Sequence, residues 1–147
     1  MADFSYLSDL AVDEKTAEYP IHEIQVNDTF PVLIVKPMTQ ANKAYFNAVA
    51  KEVAKRKGKP PALNAAALDE SRDKDRALFV AHVLVGWKDM VDAKGKKLPF
   101  NKQNAEDFIT AIPDWMFDKI RAFCNTIANF TDGVSIDTSE VDDAAKN

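Results

Sequence analysis

Three side chains in this sequence are of the kinds most often recruited for metal binding or nucleophilic attack: His22, His82 and Cys124. They are scattered, with no short-spaced pair, whereas structural zinc takes four ligands that usually come in paired spacing. A nucleophile–base pair of Cys124 and His82 would need the fold to join two stretches that both read as core helix, where a thiol is inert. Asp92-Ala93-Lys94-Gly95 has the look of a calcium loop's opening, but the alternating oxygen ligands and the closing glutamate are missing. No GxxxxGK(S/T), GxGxxG or GxSxG occurs, so phosphate cradling, dinucleotide binding and serine hydrolysis have no motif to stand on. The expectation is a protein with no catalytic, cofactor-binding or metal site, one that is not an enzyme and works by binding.

Charge narrows what it binds. Residues 1–20 hold five acids against one lysine, and residues 131–147 hold five acids against one lysine, in a chain of net charge −4. Acidic ends around a mildly basic middle argue against a general nucleic-acid binder, whose affinity rests on accumulated cations. The one basic run, Lys55-Arg56-Lys57-Gly58-Lys59, has no aromatic residue or second basic element beside it and reads as a solvated helix end. The longest apolar run, residues 77–87, is too short to cross a bilayer, and residues 1–14 lack the basic-then-apolar pattern of a secretory signal. With a single cysteine no intrachain disulfide is possible. These features lead us to expect a soluble protein of the cytoplasm with neither nucleic acid nor membrane as partner.

The length of 147 residues suits one domain that buries about 68–70% of its unfolded surface. Residues 1–20 form an acidic arm in which Phe4, Leu7 and Leu10 recur at spacings of three, a candidate partner-binding segment. From residue 21 the pattern turns to alternation and branched residues, with turn chemistry at Asn27-Asp28, which predicts a β-hairpin over 22–36 with strands near 22–27 and 30–36. Four helices are expected near 40–57, 68–87, 102–112 and 114–130, capped by Thr39, by Asn64 or Asp69, by Asn101 and by Asp114. The linker at Pro60-Pro61 should be stiff, and residues 131–147 should be a disordered acidic tail. The fold class is α+β, mostly α: a hairpin packed on a bundle of about four helices, forming a globular body over 21–130. A two-stranded hairpin is marginal alone, which hints at packing on the helices or at self-association.

One stretch, residues 84–112, organises the body. It is predicted to begin as the end of an apolar helix anchored by Trp87, break at Asp92-Ala93-Lys94-Gly95, and restart at Leu98-Pro99-Phe100 before Asn101. The pattern Trp87, Val91, Asp92, Gly95, Pro99 and Phe100, followed by a short helix and Pro113, resembles the tail assembly chaperones of long-tailed bacteriophages. The order of elements over residues 20–130 is similar too. The resemblance carries no catalytic residue, so these six positions are expected to be scaffold.

What the resemblance implies is a helper that binds the long helical tape-measure protein and keeps it soluble. It would then yield to tail-tube subunits, stay in the host cytoplasm and be absent from the mature virion. Many weak contacts along one client would give avidity without permanence. The hairpin edge and the arm with Phe4, Leu7 and Leu10 are the expected surfaces for client contact or self-association. In this family a ribosomal slip often makes a second, longer product. The ending Ala145-Lys146-Asn147 is compatible with an A-AAA-AAC slippage run. The competing reading is a structural head–tail connector or tail-completion protein of a phage virion. A third is a small DNA-binding regulator that uses residues 55–59.

Overall fold

The computed structural model describes residues 2–10, 15–59 and 63–131. Among these residues three strands, β1 (Ala17–Pro20), β2 (Val32–Val35) and β3 (Leu84–Lys88), make one antiparallel sheet in the order β1-β2-β3. Four helices, α1 (Lys43–Ala54), α2 (Ala65–His82), α3 (Lys102–Ala111) and α4 (Asp114–Cys124), share its core, with 3-10 turns at Ser5–Leu10 and Ile127–Phe130. The architecture is α+β and mostly α. Leu33 and Val35 of β2 alternate inward and are fully buried beside Phe79, Val83, Ile109 and Ile120. Truncating any of the larger ones to alanine typically costs about 2–5 kcal/mol.

The apolar run after Val83 is a strand and not the end of a helix. α2 stops at His82, and Leu84–Lys88 pairs with β2. The helical look of the sequence has a specific cause. Val35 pairs with Leu84 but Ile34 pairs with Gly86, so Val85 is an extra, bulged residue. The bulge lets Leu84 and Trp87, three apart, both face the core, a spacing that an uninterrupted strand forbids and a helix favours.

The expected hairpin is also redistributed. Asn27 and Asp28 do form the turn, both in the left-handed region at φ 50° and 64°, but they close only the single bridge Val26–Thr29. The true partner of β2 is β1, which lies inside the stretch expected to be arm: Tyr19 pairs with Leu33 and sets its ring edge-on to Phe123 at 5.1 Å. An edge strand tolerates Pro20, whose missing N–H would break an interior ladder. The free arm among the described residues is therefore 2–10.

Helix ends follow local polar chemistry. Asn42, rather than Thr39, caps α1, its Oδ1 accepting the Tyr45 amide at 3.2 Å. Asn64 and Asn101 cap α2 and α3, accepting the amides of Ala67 and Asn104 at 2.8 Å each. Pro113 takes the cap position of α4, with Asp114 as the first helical residue and its carboxylate engaged elsewhere. That helix ends at Cys124, short of residue 130, because Asn125, Thr126 and Asn129 turn their side chains back onto the carbonyls of Arg121, Ala122 and Phe123. The Pro60-Pro61 linker, the acidic tail after Thr131 and the ending at 145–147 lie outside the described residues.

Candidate functional site: a groove between two helices

The residues singled out for chemistry do not converge. His22 is exposed, edge-on to Phe30 at 4.9 Å. His82 is half-buried at the end of α2, and its main-chain carbonyl accepts from Asn42 Nδ2 at 2.8 Å. Cys124 is fully buried, and burial pushes its thiol up to about 12, far from the thiolate a nucleophile needs. Among the described residues no three His, Cys, Asp or Glu side chains gather to hold a metal ion, and no helix is long and apolar enough to cross a membrane.

The motif over 87–100 is brought together as one closed turn joining β3 to α3. Asp92 Oδ1 accepts the backbone amides of Lys94 and Lys96, each at 2.9 Å. Gly95 sits at φ +79°, and its amide donates to the Asp92 carbonyl at 3.0 Å. Val91 bridges Lys97, and the Leu98 amide donates to the Met90 carbonyl at 2.9 Å. Trp87 reaches across this turn: Nε1 donates to the Leu98 carbonyl at 3.0 Å, and the indole meets Phe100 edge-on at 5.0 Å. The Pro99 carbonyl accepts from Asn104 Nδ2 at 3.0 Å, which ties the turn to the first coil of α3. Asp92 spends its oxygen on backbone amides, which is the work of a turn-former and not of a calcium ligand.

Phe100 also walls one side of an open groove between α2 and α3, with a volume of about 860 Å³. Ala77, Val80 and Ala81 of α2, Leu84 of β3, and Ala105 and Ile109 of α3 line it, and Asp73, Lys102 and Glu106 stand among them as charged members. Ala77, Val80 and Ala81 present the accessible apolar surface and let another backbone come close, while Leu84, Ala105 and Ile109 are the buried layer beneath them. The signal in the sequence was Ala77 and Ala81, one helical turn apart, amid larger apolar residues.

Arg76 closes one end. Its guanidinium donates to the Ile112 carbonyl at 2.9 Å, to the Ile109 carbonyl, and to Asp114 Oδ1 at 2.7 Å, and it lies 5.0 Å over the Phe117 ring. It thereby satisfies carbonyls at the C-terminal end of α3 from a neighbouring helix. Arg72 pairs with the same carboxylate. The Arg76 hydrogen bond, aided by Arg72, holds Asp114 below its ordinary pKa. Two guanidiniums thus share one carboxylate, whose charged form they favour, which suits a rigid brace and not an acid or base poised to move a proton.

The arm residues Phe4, Leu7 and Leu10 line neither the groove nor the core and remain exposed, Leu7 and Leu10 on the Ser5–Leu10 turn and Phe4 just before it. The sheet edges are short: β1 has four residues and ends in Pro20.

No curated protein and no solved structure matches the chain. A sequence family described as the YdaY prophage protein matches residues 36–140, which takes in the four helices, β3, the Asp92–Gly95 turn and the whole groove. That match covers well over half of the sequence, and the protein therefore belongs to the YdaY prophage protein family and is phage-derived.

Proposed function

We propose that this protein is a phage tail assembly chaperone: it binds and solubilises the tape-measure protein, helps recruit tail-tube subunits, and leaves before the virion is complete. The observation that carries the reading is the α2–α3 groove, an open apolar trough whose floor of small side chains suits one face of an amphipathic helix. Its membership of a prophage family supports the setting. The resemblance of Trp87, Val91, Asp92, Gly95, Pro99 and Phe100 to tail assembly chaperones supports the role.

The physical requirement is weak, repeated holding. A helix laid in a groove of this size hides a few apolar side chains, and each contact is easily displaced by a tube subunit that buries more. Many copies along one client would supply avidity. The work is binding without bond chemistry, in the host cytoplasm, with neither metal nor cofactor. We extend the reading to a longer, frameshifted product that carries a second domain after the acidic stretch 131–147. Sequencing the codons for residues 145–147 and the overlapping frame tests that part.

Co-expression with the long helical protein encoded nearby, followed by pull-down, tests the main reading. A soluble complex is expected, and mass spectrometry of purified virions should find the protein missing. Abundant copies in finished particles would instead favour a head–tail connector or tail-completion protein.

A further inference from the structure

Two exposed features of the surface complement each other. The first is the arm, where Phe4 is 61%, Leu7 44% and Leu10 40% exposed. Its internal bonds run Leu7 N–H to the Phe4 carbonyl and Ser5 N–H to Asp3 Oδ1, so it is folded upon itself. Its charged residues, Asp3 and Asp9, are both acidic.

The second is the outer face of α1. Phe46, Ala50 and Val53 recur at i, i+4 and i+7, one continuous stripe, with Phe46 47% and Val53 54% exposed. α1 meets the core through Tyr45, and none of these three residues packs there. The stripe runs into residues 51–59, which hold five cations and a single acid, Glu52. Glu52 is occupied by Lys55 at 3.0 Å and Lys74 at 3.6 Å, and Lys51, Arg56, Lys57 and Lys59 form no ion pair with a described residue.

We infer that the acidic arm of one copy docks on the α1 face of a second copy, with Phe4, Leu7 and Leu10 on the Phe46–Val53 stripe and the arm's negative charge matched to the Lys51–Lys59 cations. An apolar triplet with only acids beside it meets an apolar stripe with mainly bases beside it. Shape class and charge sign agree, which opposite charges in a shared contact require for a specific register. Arm and stripe are different surfaces, so the contact is heterologous. Each copy offers one of each, and association runs head to tail into rings or open strings. A nine-residue arm is smaller than a standard interface, so single contacts are weak and growth depends on concentration. The inference is independent of the client reading: it would hold for a connector as well as for a chaperone.

The test is equimolar mixing of two full-length variants, followed by analytical ultracentrifugation. One carries Phe4→Ser and Leu7→Asp, the other Phe46→Ser and Val53→Asp; all four positions are exposed, and unchanged thermal melts verify the fold. Wild type should grow with concentration. Each variant alone should stay monomeric, since loss of a buried apolar anchor weakens binding roughly tenfold or more. The equimolar mixture should form a one-to-one complex and stop there, because one arm and one stripe remain. Raising salt should weaken wild-type growth. The inference is overturned if wild type is monomeric throughout, if either variant alone grows like wild type, or if the mixture stays monomeric. It is equally overturned if duplex DNA binds at low salt and Arg56→Glu with Lys57→Glu abolishes that binding, for then the cations serve nucleic acid.

Discussion

Asn42 Nδ2 donates to the His82 carbonyl at 2.8 Å across forty residues of chain, while Asn42 Oδ1 accepts the Tyr45 amide at 3.2 Å. One buried amide thus caps the start of α1 and the end of α2 together. Asn42→Ala removes the cap and orphans a buried carbonyl, and should cost about 2–3 kcal/mol. Asn42→Ser keeps a capping oxygen but loses the donor, and should cost about half as much. Urea unfolding of the three proteins checks both values.

The turn after β3 separates two kinds of stabilisation. Gly95→Ala meets no neighbour within 4 Å, so its cost comes from the left-handed φ of +79° alone and should be about 1 kcal/mol. Trp87→Phe keeps much of the ring packing on Phe100 but leaves the Leu98 carbonyl without its donor, for about 1–3 kcal/mol. Equilibrium unfolding monitored by far-UV circular dichroism suits both variants.

Acid should weaken the fold in a definite direction. Hydrogen bonds from Arg76, Lys119 and Lys55 hold Asp114, Glu23 and Glu52 below their ordinary values. A carboxyl whose folded pKa is depressed stabilises the fold above its unfolded pKa, and this stabilisation is lost as pH falls through the folded one. Stability from these groups is therefore level near neutral pH and declines below about pH 4. Arg76→Met should be less stable at pH 7 and show a shallower decline in acid, read from urea midpoints at each pH.

Cys124 offers a check on burial. Its thiol is pushed up to about 12, so a thiol reagent at pH 8 should leave the native protein unlabelled and react only on unfolding. Stoichiometric labelling in native buffer within minutes would mean that α4 does not pack as described.

The sequence made some of this plain and hid the rest for identifiable reasons. Asn27-Asp28, Asn101 and the Asp92-to-Gly95 turn declared themselves, because a left-handed turn or a helix cap depends on the chemistry of two or three adjacent residues. The strand at Leu84–Lys88 did not, because a bulge at Val85 gives it a helix-like spacing. β1 was masked by acidic neighbours and Pro20, which an edge strand accepts. The groove was least visible: it depends on which faces of α2 and α3 meet, and its floor is alanine, which signals neither burial nor exposure.

Client capture by a groove variant bears most directly on the proposed work of this protein. Ala81 is exposed and lines the groove, so Ala81→Glu sets a carboxylate in the apolar trough without touching the core. Retention of co-expressed tape-measure protein should fall roughly tenfold on the variant while the melting temperature stays within about two degrees of wild type. Retention equal to wild type by a well-folded Ala81→Glu protein would contradict it.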